Sequence, residues 1–373
     1  MKVAFLKELH EGEKRVSAVP ATVEKLVKAG IEVAVESEAG LASALPDAEY
    51  AKAGARVVRF PEVLGDASVI VKVRPPVLRG SAHEIDSFPE AAALISSALR
   101  SDEGLREKLK RRRISAFSLD LLPRIARAQS MDVLSSMANI AGYKSVLLAA
   151  NALGKFFPML MTAAGTILPA KVLVLGAGVA GLQAIATARR LGALVAAFDV
   201  RPAVKEQVES LGARFVAAEA HEGAEDARGY AKEVSADAAN REREAILKEL
   251  AQADVCITTA LVPGKKAPIL VTAAMVQAMG LGSVIVDLAA EQGGNCELTE
   301  AGTQTVKHGV TILGPLNLPS AMAPQASQLY SRNVLNFLLH LFDKQTKKIA
   351  VDRNDEIVRS CLIAHDGETL QAG

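Results

Sequence analysis

The chain alternates short apolar runs with longer stretches in which apolar positions recur every three or four residues. Runs of four to eight apolar residues fit strands covered on both faces, and the three-to-four spacing fits helices that bury one side. Toward the N-terminus the pattern predicts strands at 2–6, 31–35, 67–73, 91–96 and 114–118. It predicts a helix over 20–30, with Pro20 in the first turn and Gly30 at the C-terminal cap, and another over 103–113. A second alternating set starts at Val172 and continues through 213–216, 255–259, 284–288 and 310–313. Between the sets lies an Ala-, Leu- and Ser-rich helical stretch, 130–153, and after Pro319 a helix is predicted over 325–342. The tail from Asp343 is polar and reads as a peripheral strand or a loose end. Strands alternating with helices imply parallel sheets. Two α/β domains are expected, 1–130 completed by 325–373, and 131–324, joined by two helical crossings.

One segment departs from this pattern. Residues 219–250 are highly charged, with Gly229 and Tyr230 side by side in the middle. A long polar insertion inside a compact domain is usually functional or disordered. The half after Ser235 reads equally as a solvated helix. Around Tyr230 a mobile lid, near 220–240, is the preferred reading.

The most informative stretch is KVLVLGAGVAGLQAIATARRLGALVAAFDVR, residues 171–201. An apolar strand runs straight into Gly176-Ala177-Gly178-Val179-Ala180-Gly181, a helix follows, and a second apolar strand ends on Asp199. This is the order of a dinucleotide-binding βαβ unit. The first glycine permits the tight turn, Gly178 lets backbone approach a pyrophosphate, and Gly181 lets helix and strand pack closely. The helix start aims its unpaired N–H groups at phosphate. Asp199 lies 18 residues past Gly181, where a carboxylate can accept both ribose hydroxyls. The same charge repels a 2′-phosphate and favours NAD(H) over NADP(H). Arg201 is placed to neutralise such a phosphate, but Asp199 holds the strand-end position and carries more weight. The expected fold class is therefore α/β, with two Rossmann-like doubly wound parallel-sheet domains joined by long helices.

Composition narrows the classes. The 373 residues suffice for two domains, and half are hydrophobic. A net charge of +1 argues against nucleic acid as a partner. Cys256, Cys296 and Cys361 show no metal-like spacing, the histidines form no ligand set, and no metal is expected. Buried, idle thiols in a reducing compartment fit that count. The N-terminus turns charged within seven residues and has no signal-peptide core. The apolar stretch 146–175 is interrupted by Lys155, Pro158 and Lys171, so no clean membrane span is expected there.

Residues 123–136, PRIARAQSMDVLSS, place Arg124, Gln129, Asp132 and Ser135 at the mouth of the apolar crossing. Arg124 and Asp132 can pair, and Gln129 offers both a donor and an acceptor. Such a set can hold a carboxamide ring and a ribose. It can equally be an ordinary helix start capped by Ser130 or Asp132. The residues alone leave both readings open.

The stretch PRIARAQSMDVLSSMANIAGY closely resembles the NAD(H)-binding domain of proton-translocating nicotinamide nucleotide transhydrogenases, a group related to alanine dehydrogenase. So do MTAAGTILPAKVLVLGAGVAGLQAIATARRLGA, DVRPAVKEQVESLGARF, TTALVPGKKAPIL and VDLAAEQGGNC. The likeness runs from the first strand to about Phe342. It implies direct hydride transfer between NAD(H) on this chain and NADP(H) on a partner subunit, with a membrane-spanning subunit coupling the reaction to proton movement. It implies a homodimer, cytoplasmic and peripheral to the inner membrane through its partners. By motif, Arg124, Gln129, Asp132 and Ser135, with Ser136 beside them, would surround the nicotinamide end, Gln129 also facing the partner's nucleotide. Gly176, Gly178, Val179, Ala180, Gly181, Asp199, Val200 and Arg201 would hold pyrophosphate and adenosine ribose. Gly229 and Tyr230 match the family's mobile loop, and Leu261 would lie near the adenine. Hydride passing between two nicotinamide rings needs no general acid or base, so catalysis would be positioning and exclusion of water.

Two departures bear on the alternatives. The transhydrogenases that run on as one chain continue into membrane helices, and these 373 residues contain none, which reads as a separate soluble subunit or an excised domain. Arg15 and Lys72 match the substrate-binding Arg and catalytic Lys of alanine dehydrogenase, but Ser96 stands where those enzymes carry a His. Arg15 and Lys72 are read as inherited scaffold, and Lys72, on an apolar strand, needs a buried partner. A soluble amino-acid dehydrogenase and a non-catalytic NAD(H)-binding module are the competing readings.

Overall fold

The computed structural model describes residues 1–216, 236–261 and 266–370. The chain divides into two compact units, 1–137 with 319–373, and 138–318.

In the first unit the strands are β1 (Lys2–Phe5), β2 (Glu32–Glu36), β3 (Arg56–Val58), β4 (Val69–Val71), β5 (Ala93–Ser96) and β6 (Ser115–Ser118). The second unit opens with an antiparallel hairpin, β7 (Leu160–Thr162) and β8 (Gly165–Ile167). It continues with β9 (Lys171–Leu175), β10 (Leu194–Phe198), β11 (Arg214–Val216), β12 (Val255–Thr258), β13 (Val284–Asp287), β14 (Gln304–Lys307) and β15 (Val310–Leu313). The chain then returns to the first unit and ends its sheet with β16 (Leu362–His365) and β17 (Glu368–Thr369). The principal helices are α1 (Pro20–Lys28), α2 (Glu103–Arg111), α3 (Val133–Ala152), α4 (Val179–Arg190), α5 (Ala236–Leu250) and α6 (Ala323–Leu341).

The first sheet runs β17-β16-β6-β5-β4-β1-β2-β3, parallel from β6 to β3. The second runs β11-β10-β9-β12-β13-β15-β14, parallel except for β14. Both are doubly wound α/β sheets, as the alternating pattern predicts. Period-two alternation explains why both faces are apolar. In the first unit Val3, Phe5, Val69, Val71 and Ile95 face one core with Tyr330, Val334, Phe337 and Leu338 of α6. Ala4, Ile70, Leu94 and Ala116 face the other with Leu105 and Leu109 of α2. In the second unit Val172 and Val174 pack with Ala184, Ile185 and Ala188 of α4, and Leu173 and Leu175 pack with Ile246 and Leu250 of α5. The helix predicted beyond Ser235 is α5. Gly229 and Tyr230 lie outside the described residues.

Helix ends follow local chemistry. α1 carries Pro20 at its start and stops where Gly30 takes φ +81°. Asp102 caps α2, its side chain accepting from the Leu105 N–H at 3.0 Å. Lys108, Lys110 and Arg111 fill the last turn of α2, where cations suit the helix dipole. The three cysteines are buried and unpaired. Burial pushes the Cys256 thiol well above its ordinary range.

Two expectations need correction. The tail after Asp343 is not loose: β16 pairs antiparallel with β6, and Leu362, Ile363 and Ala364 are buried. The most span-like stretch also lies earlier than 146–175. Helix α3 is long and apolar enough to cross a membrane by length and composition. Its apolarity starts upstream of the lysine and proline that break the later stretch.

Candidate functional site

In an open parallel sheet, ligands collect beyond the strand C-termini where the winding reverses. In the second unit that point lies between β9 and β12. The chain leaves β9 through Gly176, whose φ of +97° is a left-handed value that a side chain resists. A Cβ there would also stand 2.7 Å from the Thr259 hydroxyl. The Thr259 hydroxyl donates to the Gly176 carbonyl at 3.0 Å, tying the turn to the end of β12. Gly181 is fixed by packing: a Cβ would fall 1.9 Å from the Gly176 carbonyl oxygen.

Gly178 differs from both. Its φ of −75° and ψ of −169° suit any residue. A Cβ built on it meets no described atom within 4 Å. Nothing in the surrounding protein demands glycine here, so the requirement comes from what binds. Gly178 is also the N-cap of α4, and no side chain caps that terminus. Its first N–H groups are therefore available to an anion. A dinucleotide pyrophosphate fits both observations.

Asp199 follows β10 directly. Its side chain is nearly buried, at 6% exposure. Oδ2 accepts from the Ala177 N–H at 2.7 Å, which joins the acid to the glycine turn. Oδ1 accepts from the Arg201 N–H at 2.9 Å. The Arg201 guanidinium adds a bond to each oxygen, Nε to Oδ1 and Nη2 to Oδ2, both 2.9 Å. Val179 is exposed at the turn, Ala180 follows it in α4, and Val200 is partly buried. Leu261, just past β12, is exposed.

Sequence reasoning missed the residues that hold this strand-end region. Asn295 is fully buried. Its amide donates to the carbonyls of Ala260 and Pro268 at 2.8 Å, and its oxygen accepts from the Ala260 N–H at 3.0 Å. Asp287, at the end of β13, accepts from the Asn295 and Cys296 N–H groups and from the hydroxyls of Thr258 and Thr299. Both ended apolar strands or loops in plain view, yet only the fold shows that Asp287 is a buried clasp while Asp199 sits at the turn.

In the first unit, residues Ala126–Met131 form a 3-10 turn leading into α3. Asp132 caps α3: Oδ1 accepts from the Ser135 N–H at 2.9 Å, and Oδ2 accepts from the Ser135 hydroxyl at 2.5 Å. The Asp132 carboxylate thus turns to Ser135, because the unpaired N–H of the first helical turn lies close by. Arg124 and Gln129 are exposed, and Ser135 and Ser136 are half-buried. The amides of Asn333 and Asn336 in α6 both donate to the Ser130 carbonyl at 2.9 Å and fix the turn. No sequence motif pointed to them.

The first unit has its own reversal point, between β1 and β4, and its own charges collect there. Lys72 is fully buried, with Nζ 3.2 Å from Glu84 and 3.8 Å from Glu8. It also donates to the Lys7 carbonyl at 3.2 Å. Arg15 grips Glu13 with two bonds, 2.7 and 2.6 Å. Burial raises the Glu8 carboxyl to about 7 against the pull of Lys72 and the Val73 N–H. Burial also works to raise Glu13, but hydrogen bonds and charge from Arg15, with help from Ser320, bring it down to about 2. Ser96 is buried with no hydrogen-bond partner among the described residues.

Comparison with known proteins places this geometry. Residues 4–141 match the model of the alanine dehydrogenase/PNT N-terminal domain, and residues 145–372 match that of its C-terminal domain. The chain belongs to the alanine dehydrogenase/PNT family. It is 48% identical to the first portion of the NAD(P) transhydrogenase alpha subunit of Rhodospirillum rubrum, over 98% of this chain and 97% of that one. The crystal structure of a transhydrogenase from Sinorhizobium meliloti is 44% identical, covers 99% of this chain and 100% of its own, and has a TM-score of 0.89. An L-alanine dehydrogenase structure is more distant, at 29% identity and a TM-score of 0.79, covering 99% and 97%. Within the family, the chain is thus nearer to these transhydrogenase chains than to that alanine dehydrogenase.

Proposed function

We propose that this chain is the NAD(H)-binding subunit of a proton-translocating transhydrogenase. It passes hydride directly between its own NAD(H) and NADP(H) held by a partner subunit, and a membrane-spanning subunit couples the transfer to proton movement. The observation that carries the reading is the end-to-end likeness to a transhydrogenase alpha subunit. Gly178, a glycine the fold does not need, supports a bound nucleotide.

When bound, the dinucleotide supplies the hydride carrier. The protein's residues bind and orient it. The uncapped start of α4 receives the pyrophosphate, Asp199 takes the adenosine ribose, and Val179, Ala180, Val200, Arg201 and Leu261 line that half. Arg124, Gln129, Asp132, Ser135 and Ser136 hold the nicotinamide half, with Gln129 turned toward the partner's nucleotide. Gly229 and Tyr230 form a loop that closes over it. No proton has to move at a side chain, so the residues act by position and by excluding water. The working form is a homodimer, held at the membrane through its partners.

The amino-acid dehydrogenase reading is disfavoured by the first unit. Arg15 and Lys72 are already engaged by Glu13, Glu8 and Glu84. The purified chain is expected to bind NADH, to leave pyruvate, ammonia and NADH unreacted, and to transfer hydride once an NADP(H)-loaded partner is added. Gln129→Asn should keep NADH affinity within about twofold while slowing transfer by about tenfold or more. Turnover of alanine with NAD by the chain alone would defeat the proposal.

A further inference from the structure

Asp199 is already occupied. Each carboxylate oxygen accepts two hydrogen bonds, one from a backbone N–H and one from the Arg201 guanidinium. The two backbone donors, Ala177 and Arg201, belong to the turn and to the strand end and stay where the fold puts them. The two side-chain donors sit on one flexible arm. A carboxylate oxygen has about two good acceptor directions, so the guanidinium holds the second direction of each oxygen. A vicinal ribose diol makes the same demand: one O–H to each oxygen of one carboxylate. Guanidinium and diol are therefore alternative two-point occupants of the same acceptor positions.

We propose that Arg201 is a built-in competitor of the adenosine ribose for Asp199, so that nucleotide binding has to displace its guanidinium. This rests on the reading of the glycine turn and Asp199 as a nucleotide site. Two consequences follow. Affinity for the nucleotide is lowered by the fraction of molecules in which the arm is closed. The bidentate, partly buried pair, with Arg201 15% exposed, is of the strong class of charge-assisted bonds, so that closed fraction is large. The second consequence concerns selectivity. A guanidinium resting on Asp199 neutralises the charge that would repel a 2′-phosphate. Arg201 therefore costs NAD(H) affinity and blunts discrimination against NADP(H) at once.

The test uses the full chain and four variants: Arg201→Met, which keeps an apolar stem without the charge, Arg201→Lys, Asp199→Asn, and Arg201→Met combined with Asp199→Asn. NADH and NADPH affinities are measured by fluorescence titration, and NADH association by stopped flow. Arg201→Met should lower the NADH dissociation constant roughly three- to tenfold and speed association, while NADPH binding weakens by a similar factor. Arg201→Lys, which offers a point charge in place of a planar two-point grip, should fall between. In the Asp199→Asn background the Arg201→Met substitution should no longer tighten NADH binding, a double-mutant coupling that a merely structural role would not produce. Weaker or unchanged NADH binding in Arg201→Met would overturn the proposal, and so would a gain that survives in the Asp199→Asn background. Failure of the unaltered chain to bind NADH at all would instead sink the nucleotide-site reading, and this proposal with it.

Discussion

The two units carry the same kind of sheet, and each has charged residues beyond its strand ends where the winding reverses. They use them in opposite ways. In the first unit Lys72, Glu84, Glu8, Arg15 and Glu13 are buried against one another. In the second, the start of α4 has no side-chain cap, and Gly178 leaves its surroundings free of described atoms. A cluster that satisfies itself contributes to folding and offers little to a ligand. A turn with unpaired donors and a glycine unexplained by packing contributes to binding. The likeness to both a transhydrogenase and an alanine dehydrogenase makes the contrast useful, because the fold is shared and the local polar chemistry separates the roles.

The sharpest way to break the comparison is Lys72→Met. It leaves Glu84 and its neighbours without a cation in a buried setting, a loss worth about 3–5 kcal/mol. Denaturant unfolding should show that loss, while NADH affinity per folded molecule stays within about twofold. If affinity collapsed with stability intact, the first-unit cluster would belong to the binding site after all.

The glycine turn supports a smaller but more discriminating pair. Gly181→Ala drives a methyl into the Gly176 carbonyl and should cost about 2–3 kcal/mol of stability. Gly178→Ala meets nothing in the protein and should leave stability within about 0.5 kcal/mol, while weakening NADH binding about tenfold or more. Equal effects of the two on unfolding would remove the argument that the ligand, rather than the fold, requires Gly178.

The smallest expected effect is pH-linked. The folded-state carboxyl of Glu8 lies at about 7, above its ordinary 4.5. Stability from the protonated form is full below the ordinary value and is lost as pH rises through about 7. Glu8→Gln should flatten that decline, by about 1–3 kcal/mol between pH 5 and 8. Glu13, held near 2, acts in the other direction. Its contribution is present above 4.5 and fades as pH falls towards 2, outside the window in which Glu8 acts. Unfolding curves of both forms across pH 5–8 check the assignment, and identical slopes would exclude Glu8 as their source.

Much of this was legible in order and spacing. The run from Lys171 to Asp199 carried its strand, turn, helix and acid in one local stretch, and period-two apolar runs placed the parallel strands. What escaped was non-local or conditional. Glu8 and Glu84 meet Lys72 only after β1 and β4 are paired, 64 residues apart for Glu8. Strand β16 is four residues long and follows a charged tail, so its burial is decided by β6, not by its own pattern. Asp199 and Arg201 stand two residues apart, and their nearness was visible. Their mutual occupation was not, because sequence assigns each a ligand before it assigns them each other.

The return of the chain at Pro319 to complete the first sheet has a consequence for synthesis. Residues 138–318 form one uninterrupted segment, so the second unit has its entire sequence outside the ribosome while the first still lacks β16 and the helix beneath its core. Domains that are contiguous fold as units during translation. The nucleotide-binding turn is thus complete before the first unit can close, and NAD(H) in the surrounding solution meets a finished site on a chain that is still being made.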